Sequence, residues 1–280
     1  MFLSIEEIDK FIREDVPYLD LTSWCLGIHD QPARIAYFTR ENAVLCGTEE
    51  VRMVFERLHI KTEDLLPSGT RVKPGDTLIS GTGRGADIHM AWKVGQNLLD
   101  HCSGIATKTR TMVQIVKEAN PNVAVLTTRK GFPGTKPLAI KAILAGGATP
   151  HRLGLSETVL LFKQHIDCIG GFDSLLAKIP ALKIECCEKK ILVESSTYEE
   201  ARALCAAGVD GIQFDKVSAA ILKDIVTKLK AEFPNTIFLA AGGVNETNAA
   251  EYAGTNVNGI VTTSLYHAKP IDVGVRITLL

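Results

Sequence analysis

The sequence has no large excess of either charge. Its 31 lysines and arginines are balanced by 32 aspartates and glutamates, which leaves a formal net charge of −1. Proteins that bind nucleic acid over a broad surface usually carry a clustered basic excess, so this balance argues against a nucleic-acid partner. Long apolar runs are also missing, since none approaches the roughly 20 residues that a membrane-spanning helix requires. We therefore expect no membrane association.

Cysteine is present in an odd number, seven, and no C-x-x-C pair is combined with histidines at zinc-finger spacing. This argues against both a disulfide framework and a zinc finger. The adjacent Cys186 and Cys187 are interpreted as buried thiols. The segment MFLSIEEIDK is too acidic for the n-region of a signal peptide. Together these features predict a cytoplasmic protein.

Hydrophobic residues make up 46% of the 280 residues, which is enough for one large or two modest globular domains. The first third mixes helical and strand patterns. SIEEIDKFIRED predicts a helix with a capping box formed by Ser4 and Glu7. ARIAYFTR alternates as a strand, TEEVRMVFERLHI is helical, and one or two long helices follow. We predict an α+β sandwich domain over residues 1–105.

From about residue 120, short apolar strands alternate with helical segments. The six strand candidates are VAVLTT from 123, TVLLF from 158, KKILVE from 189, GIQFD from 211, TIFLAAGG from 236 and GIVTT from 259. This alternation predicts a parallel sheet. Because the region is well short of the roughly 250 residues of an eight-unit barrel, we predict an incomplete α/β barrel of six or seven strands over residues 106–267. The tail, 268–280, can rejoin the first domain.

Basic residues are concentrated between the first strand candidates. The stretch LTTRKGFPGTKPLAIKAILAGGATPHR contains six of them: Arg129, Lys130, Lys136, Lys141, His151 and Arg152. Arginine can bind a carboxylate or phosphate through two parallel hydrogen bonds, and lysine adds a point charge. The pattern predicts a small anionic ligand, and the alternative is a set of solvated loop cations.

Two acids and a glycine pair follow later strands, at the ends where parallel barrels carry their chemistry. Glu194 and Asp215 could hold Mg²⁺ directly or through water, or bond ribose hydroxyls; the alternative is that backbone amides satisfy them. Glycine lets backbone N–H groups approach a phosphate. The phosphate-binding candidates are Ala241, Gly242, Gly243, Thr262 and Thr263, with a plain turn as the alternative for the glycines.

The chain resembles the quinolinate phosphoribosyltransferases in six segments that keep the order and spacing of that family. They are NLLDHCSGIATKTR, TTRKGFPGTK, HRLGLSETVLLFKQH, VESSTYEEA, GIQFD and AAGGVNETNAAEYAGTNVNGI. The resemblance implies a two-domain enzyme that couples a ring nitrogen to 5-phosphoribosyl 1-pyrophosphate using Mg²⁺. It also implies a homodimer, or a higher oligomer, in which each active site borrows residues from the neighbour's first domain.

The resemblance assigns roles to individual residues. Arg129 and Lys130 match the family's Arg-Lys that binds substrate carboxylate and sugar phosphate. His151 and Arg152 match its carboxylate-binding His-Arg, and Thr128 is a further substrate-binding candidate. Glu194 and Asp215 match the acids of the Mg²⁺ and ribose site. Ala241, Gly242 and Gly243 match a Ser-Gly-Gly phosphate loop that here lacks its hydroxyl.

Three departures from the family pattern concern the acceptor. Asp100-His101 stands where the family has Gln-Arg, so the arginine that reaches quinolinate across the dimer is missing. Phe162 occupies the position of a family lysine, and Lys163, one residue later, would point to the opposite face of a regular strand. Thr263 replaces a glycine. These differences resemble the ModD-type branch, named for an association with molybdenum transport.

We therefore predict transfer of ribose 5-phosphate to a small acidic acceptor that is quinolinate-like but is not quinolinate. His101 and Lys163 remain substrate-binding candidates. One alternative is a non-catalytic protein that binds molybdate or phosphate on the same fold. A second alternative is a barrel lyase that forms a Schiff base through Lys163.

Overall fold

The computed structural model describes residues 3–280 and divides the chain into two compact units. The first unit contains the residues up to Arg110 together with Phe132–Gly147 and Tyr266–Leu280. The second unit contains Thr111–Gly131 and Ala148–Leu265. Within residues 3–280, no helix is both long enough and apolar enough to span a membrane.

Ten α-helices lie within residues 3–280. They are α1 (Ile5–Asp15), α2 (Leu21–Leu26), α3 (Thr48–Arg57), α4 (Gly85–Ala119), α5 (Lys136–Gly146), α6 (Lys163–Cys168), α7 (Phe172–Glu185), α8 (Tyr198–Ala206), α9 (Ala219–Glu232) and α10 (Ala249–Ala253). A short 3-10 helix covers Ser264–His267. The predicted capping box is confirmed at α1, where the Glu7 N–H donates to Ser4 Oγ and the Ser4 N–H donates to Glu7 Oε2.

Thirteen strands lie in the same described residues. They are β1 (Pro32–Thr39), β2 (Ala43–Val44), β3 (Lys61–Leu65), β4 (Arg71–Val72), β5 (Thr77–Arg84), β6 (Ala124–Thr127), β7 (Thr149–Pro150), β8 (Val159–Leu161), β9 (Ile191–Ser195), β10 (Gly211–Asp215), β11 (Ile237–Ala241), β12 (Gly259–Thr262) and β13 (Val273–Leu279).

The first unit is built on an antiparallel sheet with strand order β13-β1-β5-β3. The C-terminal strand β13 pairs with β1 from Ala33 opposite Leu279 to Thr39 opposite Val273. Helix α3 buries Val51, Val54 and Phe55 from the stripe that its sequence pattern predicts. Burial of these side chains removes apolar surface from water and gives this unit its own core.

The second unit is built on a parallel sheet of seven strands in the order β7-β6-β12-β11-β10-β9-β8. All six predicted strands are present, and β7 is a seventh strand of two residues at one edge. Because β7 and β8 are the two ends of this order, the sheet is an open barrel, as predicted. Five apolar side chains from four strands fill its interior: Leu160, Leu192, Leu239, Ala241 and Val261.

The six-residue basic cluster expected from the sequence is divided between the units. Lys136 and Lys141 lie on α5, which belongs to the first unit. There Lys141 Nζ donates to Glu49 Oε2 at 2.7 Å and to Glu50 Oε2 at 2.5 Å. The expectation that Lys141 serves an anionic ligand is therefore wrong, because two carboxylates distant in sequence already neutralise it.

The expectation of buried thiols at Cys186 and Cys187 is also wrong. All seven cysteines are free thiols; Cys186 is only half-buried and Cys187 is exposed. Both follow the last residue of α7, where the chain turns toward β9 instead of entering the sheet.

Candidate active site

A pocket of about 580 Å³ opens at the carboxyl ends of the parallel strands of the second unit. It brings together most of the residues predicted as a site. Those that line it are Thr128, Arg129, Lys130, His151, Arg152, Glu194, Asp215, Ala241, Gly242, Gly243, Thr262 and Thr263. They follow six different strands, which is how a parallel barrel assembles a site from residues distant in sequence.

One wall of the pocket is basic. Arg152 is 8% exposed, and its Nη1 donates to the Thr158 carbonyl at 3.4 Å. Burial lowers the pKa of Arg152, and the neighbouring charge of Arg129 lowers it further. Two guanidinium groups this close repel each other. An anion placed between them relieves that repulsion, so this wall favours a carboxylate or phosphate ligand.

His151 also lines the pocket, and its backbone N–H donates to the Thr127 carbonyl at 2.9 Å. Burial lowers the pKa of His151, and the charge of Arg152 lowers it further. The neutral imidazole therefore predominates at pH 7. Its Nε2 is buried and has no hydrogen-bond partner among the described residues, so a ligand atom in the pocket can pair with it.

A second wall of the pocket is acidic. Glu194 on β9 and Asp215 at the end of β10 line the pocket together. Burial raises the pKa of Glu194, and the charge of Asp215 raises it further, while Lys130 and Lys216 act in the opposite direction. A buried carboxyl group with a second carboxylate beside it forms a setting that a cation stabilises.

The residues present fit a magnesium ion. Among residues 3–280, no group of three or more histidine, cysteine, aspartate and glutamate side chains is arranged to hold a metal. Two carboxylates suit Mg²⁺ all the same, because this ion usually keeps several waters and takes further oxygens from substrate phosphates.

The loop after β11 fits a phosphate group. Gly242 and Gly243 have φ values of +85° and +82°, a backbone conformation that side chains with a Cβ rarely adopt. A Cβ at Gly242 would lie 2.6 Å from Asp215 Oδ1 and from the Lys216 nitrogen, whereas a Cβ at Gly243 would have no atom within 4 Å. Gly242 is thus required by close packing against the acidic wall, and Gly243 borders open space.

Hydroxyl groups connect this loop to the basic wall. Thr262 Oγ1 donates to the Val244 carbonyl at 2.5 Å, which links β12 to the glycine loop. Thr128 Oγ1 and Thr263 Oγ1 share a hydrogen bond of 2.8 Å. The threonine that replaces a family glycine therefore occupies the pocket edge and holds the start of the Arg129-Lys130 segment.

Two predicted site residues lie elsewhere. Lys163 is the first residue of α6, where its Nζ bonds both oxygens of Asp167, and it lines a neighbouring pocket that shares Glu194 and Asp215. Strand β8 ends at Leu161, so the alternation expected for Lys163 does not apply, although Phe162 does line the main pocket. His101 lies on α4 and lines a separate pocket of about 610 Å³ in the first unit.

The sequence analysis missed Gln213, which also lines the main pocket. Gln213 stands two residues before Asp215 on β10, and residues two apart on a strand point to the same face. Its Nε2 donates to Glu194 Oε2 at 3.2 Å. The period of two in GIQFD could have identified it.

Comparison with known proteins identifies the family of the chain. The domain described as "Quinolinate phosphoribosyl transferase, C-terminal domain" matches residues 105–276, and the corresponding N-terminal domain matches 20–103. ModD of Pasteurella multocida is 33% identical over 277 residues, covering 99% of this chain and 98% of that protein. The nicotinate-nucleotide pyrophosphorylase [carboxylating] of Rattus norvegicus is 29% identical over 262 residues, covering 94% of this chain and 86% of that protein.

A solved structure shows the same architecture. The nicotinate-nucleotide pyrophosphorylase from Ehrlichia chaffeensis superposes with a TM-score of 0.89 at 26% identity, covering 99% of this chain and 100% of that one. Both domain matches, the ModD relative and this fold lead to one assignment. The chain belongs to the quinolinate phosphoribosyl transferase family of pentosyltransferases.

Proposed function

We propose that the protein transfers ribose 5-phosphate from 5-phosphoribosyl 1-pyrophosphate to a ring nitrogen of a small acidic acceptor. The observation that carries the proposal is the single pocket that is lined by Arg129, Arg152, Glu194, Asp215 and the glycine loop. The phosphoribosyl donor needs both the basic and the acidic residues, because it carries phosphate groups and a sugar that becomes cationic. The acceptor carboxylate adds a second anion for the basic wall.

In the proposed reaction, the lone pair of the acceptor nitrogen forms a bond to the anomeric carbon. The bond from that carbon to the pyrophosphate oxygen breaks, and its electrons leave with pyrophosphate. Positive charge develops on the ribose ring in the transition state, and the carboxylates of Glu194 and Asp215 stabilise it. Because these groups are already in place, they stabilise the transition state without costly reorganisation.

Glu194 and Asp215 are also the residues that would hold Mg²⁺, with water and substrate oxygens completing its coordination. When bound, Mg²⁺ neutralises charge on the departing pyrophosphate. The glycine loop and the hydroxyls of Thr262 and Thr263 would bind the 5-phosphate. Arg129 and Lys130 would lie between the sugar phosphate and the acceptor.

We further propose that the acceptor is not quinolinate. Quinolinate carries two carboxylates, and each requires a charged partner when it leaves water. At the position of a family lysine, Phe162 contributes an aromatic ring to the pocket. Lys163 does not compensate, because it bonds Asp167 at the start of α6. Arg129, His151 and Arg152 can hold one carboxylate, which favours a monoacid.

The protein is also proposed to act as a homodimer in which His101 of one protomer serves the active site of the other. This proposal is supported by the segment GQNLLDHCSGIAT, which resembles the family segment that reaches the active site of the neighbouring protomer. A link to molybdenum transport is proposed only from the resemblance to the ModD-type branch.

A Schiff-base lyase is disfavoured by the geometry. A lysine that forms a Schiff base must lose its proton, which burial in an apolar site promotes. The side chain of Lys163 is 79% exposed and bonds the Asp167 carboxylate at 2.7 Å. This environment favours the protonated amine, so Lys163 lacks the setting for that chemistry.

The experiment that tests the proposal follows pyrophosphate release from 5-phosphoribosyl 1-pyrophosphate and Mg²⁺ with a panel of ring-nitrogen acids. We expect release with at least one monoacid, together with a product whose mass equals acceptor plus ribose 5-phosphate. In parallel, calorimetry compares binding of phosphoribosyl pyrophosphate with binding of molybdate. Binding of molybdate without binding of the phosphoribosyl donor would favour the oxyanion-binding alternative.

A further inference from the structure

One polar group that lines the main pocket, the side-chain amide of Gln213, has no part in the proposed reaction. Gln213 lines the pocket from β10, two residues before Asp215. At about 3.3 Å per strand residue, Gln213 therefore lies about 6.6 Å from Asp215 toward the barrel interior. The residue is 6% exposed, and buried Leu160 and Val261 also line the pocket.

The amide oxygen of Gln213 lacks a partner. Gln213 Oε1 is buried and makes no hydrogen bond to any of the described residues. Most buried polar groups in folded proteins are hydrogen-bonded, and an unpaired one costs free energy that a suitable ligand can recover. An unpaired acceptor on a residue that lines a ligand pocket is suited to recognise a hydrogen-bond donor on the ligand.

The neighbouring carboxylate fixes which end of the amide is available. Gln213 Nε2 donates to Glu194 Oε2 at 3.2 Å. An ionised carboxylate can only accept hydrogen bonds, so it selects the NH₂ end of the amide and turns the oxygen away. Gln213 and Glu194 stand opposite each other in the register of β10 and β9, which holds the pair in place.

We propose that Gln213 determines acceptor specificity by accepting a hydrogen bond from an N–H or O–H group of the acceptor. This inference rests on the proposed transfer reaction and names the substrate class more closely: a nitrogen-ring monoacid that also carries a hydrogen-bond donor. The basic wall of Arg129, His151 and Arg152 binds the carboxylate. The Gln213 oxygen accepts the hydrogen bond from the acceptor's N–H or O–H group.

Because Gln213 lies further into the barrel than the strand ends, we assign its hydrogen-bond partner to the acceptor and not to the sugar phosphate. The groups suited to the phosphoribosyl donor stand at the strand ends: Asp215, Gly243 and Thr263. A ring below them reaches Gln213, while the ribose remains beside the carboxylates. Quinolinate would present a carboxylate oxygen or a carbon-bound hydrogen to the amide oxygen, and neither is a good donor.

The test uses the purified full chain with nicotinate and its ring-amino derivatives, which share the ring and the carboxylate and differ by one donor group. Calorimetry without phosphoribosyl pyrophosphate measures affinity for each compound. We expect at least one amino derivative to bind about tenfold more tightly than nicotinate, the scale expected when a buried unpaired acceptor gains its partner.

The principal variant is Gln213→Met, which keeps an unbranched chain of similar length and removes the amide. It should abolish the preference for the amino derivative and change nicotinate affinity by only about twofold. Gln213→Leu is a second variant in case the first fails to fold. Gln114→Leu, on the exposed surface of α4, is the matched control and should keep the wild-type preference.

The inference is overturned if no amino derivative binds more tightly than nicotinate, or if the preference survives in Gln213→Met. Failure of the proposed reaction looks different, because it would appear as no pyrophosphate release with any acceptor. Affinity measured without the phosphoribosyl donor is independent of that result.

Discussion

Alanine substitutions at the two glycines of the loop after β11 should differ in their effect on stability. Gly242 and Gly243 have nearly the same left-handed conformation, with φ values of +85° and +82°. Placing a residue with a Cβ in that region costs about 1–2 kcal/mol. Gly243→Ala should therefore lower the free energy of unfolding by about 1–2 kcal/mol, since its Cβ has no neighbour within 4 Å.

Gly242→Ala should cost more. Its Cβ would lie 2.6 Å from Asp215 Oδ1, from Lys216 Cγ and from the Lys216 backbone nitrogen. The backbone nitrogen cannot move alone, because it donates to the Ala241 carbonyl at 2.9 Å. Forcing extra atoms into a packed site typically costs about 1–3 kcal/mol, so the total should reach about 2–5 kcal/mol.

Urea and thermal unfolding of both variants beside the wild type measure this difference. For chains of this size, 1 kcal/mol corresponds to about 2–4 °C in Tm, so the two variants should be separable. The reasoning is refuted if Gly243→Ala is at least as destabilising as Gly242→Ala. It is equally refuted if Gly242→Ala stays within about 0.5 kcal/mol of the wild type, the range of neutral surface changes.

Three further predictions concern the acidic wall, the oligomer and the acceptor. Burial and Asp215 raise the pKa of Glu194, so the folded state loses stability as pH rises from the ordinary glutamate pKa through the raised value. The variant Glu194→Gln should remove this loss, so its Tm at pH 7 should equal or exceed that of the wild type. Its Mg²⁺-dependent turnover should fall. A wild-type pH dependence of Tm in Glu194→Gln would contradict this. Light scattering should show a dimer, and a monomer that binds both substrates fully would refute the shared site. Quinolinate should react well below the ordinary efficiency of about 10⁴ M⁻¹s⁻¹, and His101→Arg with Phe162→Lys should raise its rate; wild-type turnover at or above that efficiency would argue against the assignment.

The sequence predicted the parts of the fold that depend on local pattern. All six strand candidates of the second unit are strands, and the capping box of α1 is formed. Strand β7 was missed because it has only two residues, Thr149 and Pro150, and no apolar run. Proline lacks a backbone N–H and fits only an edge position, which is where β7 lies.

Features that depend on distant residues could not be predicted. The charge of Lys141 is neutralised by Glu49 and Glu50, whose proximity follows from packing and leaves no mark in local spacing. The reason that Lys163 lies outside the main pocket is another such feature: β8 ends at Leu161, so strand alternation does not extend to Lys163. Helix α6 begins at Lys163, whose Nζ bonds Asp167 instead.

The candidate site was largely predictable, because parallel strands deliver their following residues to one edge of the sheet. Glu194 and Asp215 were identified from strand ends alone and do line one pocket. Gln213 was overlooked because an amide within an apolar strand resembles a structural residue. The period of two in GIQFD places it on the face of Asp215, and its unpaired oxygen adds a signal that is visible only in three dimensions.

The most direct test of the proposed function is mass spectrometry of the reaction of the full chain with phosphoribosyl pyrophosphate, Mg²⁺ and ring-nitrogen acids, with pyrophosphate measured in the same samples. The proposal predicts equal amounts of pyrophosphate and of an acceptor joined to ribose 5-phosphate, with both lost in Asp215→Asn. Pyrophosphate formed without a ribosylated product, or no reaction with any acid while molybdate binds the pocket, would contradict it.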